Sequence, residues 1–273
     1  MNRALVILGA GLAAAPALAQ VVSPNFRANS EGNDANTYPF CAPALARYQQ
    51  AFGAGSLAPL LGRPIAAIAF RLDSSHTEDY TAGYVYPNIH ITFSIAPQTI
   101  DHLSTDMAAN VGPNPEVVFD GPYTVPTLHA GPAPHPFDMV LPLQHPFMYT
   151  GGVLLMDINS GIGPTQTSGL TYYLDSENTT GDAICRAYDV SFDLVYTDTR
   201  GLITQFTAGP APCYANCDGS TTAPVLTVSD FTCFLNRFAA ADTYANCDAS
   251  TTPPVLNVGD FTCFLNRFSA GCS

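Results

Sequence analysis

The side chains best placed to do chemistry lie near the end of the chain, where Asn216, Asp218 and Ser220 occupy alternate positions and Asp230 follows. The same set returns thirty residues later as Asn246, Asp248, Ser250 and Asp260. Short oxygen-bearing side chains at alternate loop positions converge on one point, and a carboxylate at the start of the next helix closes the cage. That is how a loop holds Ca²⁺, a hard cation that prefers oxygen. A competing reading gives Asp218 and Asp248 a turn-capping role only.

These sets belong to an internal duplication. Residues 214–243 and 244–273 are identical at 22 of 30 positions, which marks a tandem repeat. In each copy the run from Val228 or Val258 through "DFTCFLNRF" carries a helical stripe, Val228, Phe231, Phe234, Leu235 and Phe238 in the first and Val258, Phe261, Phe264, Leu265 and Phe268 in the second. Thr227 and Asn257 are placed as N-caps, with Asp230 and Asp260 three residues on as in a capping box. One such helix cannot bury its phenylalanines alone. Two packed face to face can.

Six of the eight cysteines lie in this region. Cys217 and Cys233 recur as Cys247 and Cys263, whereas Cys213 and Cys272 have no counterparts, which predicts a clasp joining the two ends. The other four pair either within each copy, Cys217 with Cys233 and Cys247 with Cys263, or across copies. A zinc cluster competes poorly, since no histidine lies beyond position 145. The remaining two, Cys41 and Cys185, are expected to bridge distant parts of the preceding domain.

The tandem loop-helix units, each with an aspartate at the last loop position, resemble dockerin repeats. The paired cysteines and the Gly271-Cys272 ending resemble the cysteine-rich variant found at the C-termini of exported bacterial proteins. The resemblance covers about 60 residues, and it implies calcium as cofactor and a cohesin-like or other extracellular scaffold protein as partner. It also implies partner contacts at the residues just before the final loop carboxylate, Val228 and Ser229 in one copy and Val258 and Gly259 in the other. Two departures stand out: Asn216 to Asp230 spans fifteen residues rather than the twelve of an EF-hand loop, and Gly219 becomes Ala249 in the second copy.

The rest of the chain must deliver and position this module. Residues 1–19 have the apolar stretch and small-x-small end, Ala17-Leu18-Ala19, of a secretory signal peptide, which predicts secretion to the cell surface or beyond. No apolar run is long enough for a membrane span. A net charge of −13 with no lysine excludes nucleic acid and anionic lipid as partners. A Pro/Gly/Ala stretch near 209–212 reads as a linker between a domain at 20–209 and the module at 210–273.

Within 20–209, seven short runs rich in β-branched and aromatic residues (64–72, 88–96, 116–120, 137–143, 151–158, 170–174 and 187–197) predict strands, and only 42–52 reads as helix. The expected fold is mainly β, an antiparallel jelly-roll-like β-sandwich followed by a small α-helical tandem loop-helix module. No catalytic motif stands out. Asp73, His76, Glu78 and Asp79 form the densest polar cluster and read as a solvated loop or a cation or sugar site; His90, His129 and His135 read as strand or loop residues. Tyr80, Tyr84, Tyr86, Tyr172 and Tyr173 offer rings for glycan stacking. The function expected is a secreted, non-enzymatic β-sandwich protein anchored to an extracellular assembly through its terminal module. The alternative is an extracellular carbohydrate-binding or polysaccharide-degrading protein whose working part is the β domain.

Overall fold

A computed structural model describes residues 19–40, 47–81, 83–159, 172–189, 194–210, 212–220 and 222–272. Residues 1–18 of the expected leader, Cys41 and the segment 160–171 lie outside the described residues. The chain divides into two compact units, Ala19–Pro212 and the part from Cys213 onward.

The first unit is mainly β and all its strand pairings are antiparallel. In chain order the strands are β1 (Gln20–Ser23), β2 (Asp34–Asn36), β3 (Arg47–Phe52), β4 (Arg63–Phe70), β5 (Val85–Ala96), β6 (Glu116–Thr124), β7 (Met139–Tyr149), β8 (Val153–Asn159), β9 (Leu174–Asn178), β10 (Ile184–Asp189), β11 (Val195–Asp198), β12 (Arg200–Leu202) and β13 (Thr204–Ala208). They form sheets in the orders β1-β13-β4-β7, β11-β10-β3-β8-β5-β6 and β12-β9-β2. The period-two pattern of β7 turns Met139, Leu141 and Leu143 inward while Val140, Pro142 and Gln144 face out. One core joins the two larger sheets, as the ring contacts Phe52–Phe206 at 4.9 Å and Phe93–Phe147 at 5.6 Å show.

Residues 47–52, expected to be helical, form β3 near the middle of the six-stranded sheet, between β10 and β8. The reason lies in two glutamines that are fully buried and satisfied. Gln49 donates to Met107 O and Asp157 Oδ2, and Gln50 donates to Leu202 O while accepting from Leu202 N and the Tyr48 hydroxyl. Once each amide is hydrogen-bonded, burial on both faces is tolerated. Of the run expected at 170–174, only Leu174 lies in a strand among the described residues, as the first residue of β9, and the described parts of 187–197 other than Leu194 fall in β10 and β11.

Cys185 is a buried free thiol, and Cys41, the partner expected for it, lies outside the described residues. The thiol points into a small satellite core of Ala51, Leu103, Met107, Leu155 and Ala187 and accepts the Asp101 N–H. Burial pushes it up to about 12, so it is unreactive in the folded chain.

Asp182, half-buried before β10, is pushed up to about 7 by burial, with the nearby Glu177 and Asp101 carboxylates adding to the rise. Its Oδ1 accepts the Ile184 N–H, while Oδ2 has no partner. The folded form therefore keeps a proton that the unfolded chain releases at about pH 4. The native state binds more protons in this window, so the contribution to stability is present at low pH and is lost as pH rises through about 7. Asp182→Asn is expected to exceed wild type in stability at pH 8 by on the order of 1 kcal/mol, discounted for screening, and to match it at pH 4. Urea melts at the two pH values check this; an equal difference at both would refute it.

Candidate metal centre

The second unit contains α1 (Val228–Ala239) and α2 (Val258–Ala270). Both start with capping boxes, Thr227 with Asp230 and Asn257 with Asp260. Phe234 and Phe264, both fully buried, stack at 4.2 Å between the helices. Phe231, Phe238, Phe261 and Phe268 pack around them. The expected stripe is only partly buried: Val228 and Val258 are 80% and 78% exposed, and Leu235 and Leu265 also face solvent. Each loop lies against its own helix, which turns the stripe so that only its phenylalanine side faces the partner helix.

Three bridges hold this unit: Cys213–Cys272, Cys217–Cys233 and Cys247–Cys263. The clasp is present, and the repeated cysteines pair within copies. Tyr214 and Tyr244 stack at 4.7 Å, and each hydroxyl donates to the other's carbonyl. Arg267 lies over the Tyr214 ring and Arg237 over the Tyr244 ring. The duplication in sequence is thus a near-twofold in contacts.

Each loop brings its four oxygen-bearing residues together in the same way. Asn216 Nδ2 donates to Ser220 O, which fixes the amide and leaves Oδ1 buried with no partner. Asn246 repeats this with Ser250 O, and its Oδ1 is orphaned too. Asp230 is fully buried, accepting from Asp218 N at 3.2 Å and Thr227 N at 2.8 Å. Asp260 accepts equivalently from Asp248 N and Asn257 N. Asp218 and Asp248 are exposed, and each accepts from the serine N–H two residues on. That serine's hydroxyl is turned away to a carbonyl, Val225 O or Val255 O, so Ser220 and Ser250 act in the turn rather than as free donors to a cation.

Backbone N–H groups lower one carboxylate of each loop. The Ser220 N–H holds Asp218 below the usual carboxylate range. Burial pushes Asp260 up, but the N–H groups of Asn257 and Asp248 and the Asp248 side chain leave it lowered on balance. Each loop thus keeps one buried amide oxygen without a hydrogen, Asn216 Oδ1 or Asn246 Oδ1, while its two carboxylates accept from backbone N–H groups. Oxygen-only side chains of this kind suit a hard cation such as Ca²⁺.

No family model, curated protein or solved structure matches the chain.

Among the residues implied as partner contacts, Val228, Ser229 and Val258 are exposed, whereas Gly259 is half-buried. A Cβ at Gly259 would lie 2.8 Å from Asn257 Oδ1 and 3.0 Å from Asp248 Oδ2; the first copy has Thr227 and Ser229 there instead, a shorter cap that leaves room for a side chain. Gly219 and Ala249 both adopt positive φ, 70° and 57°. The second loop therefore keeps the turn despite its Cβ, at a cost of roughly 1 kcal/mol.

In the first unit the expected tyrosine platform does not form. Tyr80, Tyr86 and Tyr172 are buried, and of the five only Tyr173 is well exposed. His129 pairs with Asp138 on the surface, and His90 lies 3.5 Å from Asp120 across β5 and β6. Asp73 separates from Glu78 and Asp79: it is buried, and it belongs to a carboxylate cluster that local sequence did not reveal. No helix among the described residues is long and apolar enough to cross a membrane.

Proposed function

We propose that the chain is a secreted, non-enzymatic β-sandwich protein, jelly-roll-like in its first unit, attached to an extracellular scaffold through a dockerin-like C-terminal unit whose two loops bind Ca²⁺. One observation carries the reading: in both copies a buried asparagine oxygen, Asn216 Oδ1 and Asn246 Oδ1, is left without a hydrogen in the same loop that docks on the helix-start aspartate. A turn that needed only capping would not orphan the same acceptor twice. Secretion is supported by the leader-like N-terminus and by three disulfides, which persist in oxidising compartments. A cohesin-like partner would meet the exposed helix starts at Val228, Ser229 and Val258 and the neighbouring Gly259. The shared core of the two larger sheets supports the sandwich.

Calorimetric titration of the chelator-treated full chain with Ca²⁺ tests this. Asp218→Asn with Asp248→Asn keeps the oxygen that accepts the serine N–H and removes one charge per loop. The wild type is expected to bind two equivalents at the repeats, and the double variant to bind them at least tenfold more weakly. Binding unchanged by the substitutions, or no binding to either chain, would leave the loops as turns held by bridges alone.

A further inference from the structure

A second carboxylate cluster lies in the first unit, away from the repeats in sequence. Residues 71–73 continue β4 alongside 173–175: Asp73 N donates to Tyr173 O, Asp175 N donates to Arg71 O, and Leu72 bridges Leu174. This places Asp73 and Asp175 close together. The loop before β2 adds Glu31, because Gly32 lies directly against β9, donating to Asp175 Oδ1 at 2.9 Å. A Cβ at Gly32 would fall 2.0 Å from Ser176 O, so only glycine permits that approach.

Carboxylate oxygens of Glu31, Asp73 and Asp175 all lie within 4.8 Å of one another, and Asp73 and Asp175 are buried. One cation is in contact, Arg71, bound to Asp175 Oδ2 at 2.7 Å. The remaining hydrogen bonds to the three carboxylates come from backbone N–H groups: Ser74 to Glu31 Oε1, Ser75 to Asp73 Oδ1 and Gly32 to Asp175 Oδ1. They leave Glu31 Oε2 buried and without a partner.

An independent feature points to a missing ligand. His135, only 3% exposed, is an electrostatic neighbour of Glu31 and of His76. Two residues on, Phe137 covers the Arg71 guanidinium at 4.8 Å, so the loop bearing His135 lies over the cluster. Its Nε2 is 3.2 Å from Gly131 O, a carbonyl that only accepts, so Nε2 carries the hydrogen. Nδ1 is buried and without a partner. Two buried polar atoms left unpaired beside three carboxylates, Glu31 Oε2 and His135 Nδ1, leave room in the hydrogen bonding for a hydrated ligand.

We propose that Glu31, Asp73 and Asp175 bind one divalent cation, with a water on that ion donating to His135 Nδ1. An all-oxygen protein donor set selects a hard ion such as Ca²⁺ or Mn²⁺. Spin-resonance counting of Mn²⁺ bound to the full chain tests this site separately from the repeats. The Asp218→Asn/Asp248→Asn chain is expected to retain one Mn²⁺, and that ion to raise the melting temperature of the β-rich unit. Adding Glu31→Gln, which keeps the Oε1 acceptor for Ser74 N–H, is expected to weaken the remaining ion at least tenfold while far-ultraviolet dichroism is unchanged. If the repeat-disabled chain binds no Mn²⁺, or binds it as tightly with Glu31→Gln and with Asp73→Asn, the assignment is wrong. The first of these outcomes does not depend on how any cluster variant folds, and failure of the repeat sites would leave this count unaffected.

Discussion

Reduction of the three disulfides is expected to unfold residues 213–272 while residues 19–210 stay folded. The bridges close loops with sequence separations of 59, 16 and 16 residues. Each contributes about 3–4 kcal/mol by limiting the unfolded chain. The buried core they support is small, essentially Phe234 and Phe264 with Ala245 and two of the cystines. A unit of some 60 residues rarely gains more than about 3–5 kcal/mol from such a core, so the bridges exceed its remaining stability. Phe264→Ala, which removes one ring of the 4.2 Å stack, is expected to cost a further 3–5 kcal/mol or so; in the oxidised chain it should melt this unit well before the β-rich one. Calorimetric scans with and without reductant check both. The β-rich unit forms no bridge among its described residues, so its transition should hardly move. A single unshifted transition under reductant would mean that the phenylalanine core suffices by itself.

Arg71→Met is expected to destabilise the β-rich unit by about 3–5 kcal/mol, the usual cost of leaving one member of a buried ion pair alone. Arg71 is 1% exposed. It donates to Asp175 and to the carbonyls of Arg27 and Ser30, so its loss orphans three acceptors and leaves the three-carboxylate cluster without its contacting cation. Burial already pushes Asp175 up to about 7, against the pull of Arg71 and with Glu31 adding to the rise. Asp175→Asn in the Arg71→Met background is expected to recover a large part of the loss, because the unpaired charge is gone. Arg71→Lys should recover little, since an ammonium cannot reproduce the fork that reaches a carboxylate and two carbonyls. Urea denaturation followed on the β-rich unit decides it: a cost below about 1 kcal/mol for Arg71→Met would mean that solvent, not Arg71, neutralises the cluster.

Much of the C-terminal unit was legible in the sequence because its signals are local. A duplication doubles every cue, so the caps at Thr227 and Asn257, the alternating oxygens and the cysteines without counterparts could each be read against its copy. The β character of the first unit was legible for the same reason, since β-branched runs between glycines and prolines need few distant partners to be recognised. Residues 47–52 were misread because their β identity comes from β8 and β10 on either side, and because Gln49 and Gln50 are buried only by virtue of acceptors far along the chain. Spacing alone leaves Tyr80, Tyr86 and Tyr172 open between glycan stacking and ordinary sheet packing, and burial makes them packing residues. Val228 and Val258 read as core, yet the loops turn them outward.

By itself the sequence determined the repeat, its helices and their caps, the alternating polar residues of each loop and the preference for antiparallel strands. All of these depend on residues within a few positions of one another, where backbone propensity and side-chain spacing act directly. Only the tertiary structure decided that Cys185 remains a thiol, that the repeated cysteines pair within copies, that Asn216 and Asn246 each hold an acceptor with nothing to accept, and that Glu31, Asp73 and Asp175 meet around Arg71. Those outcomes depend on which distant segments the core brings into contact, and on burial, which sets the cost of an unpaired charge or lone pair that spacing alone cannot reveal.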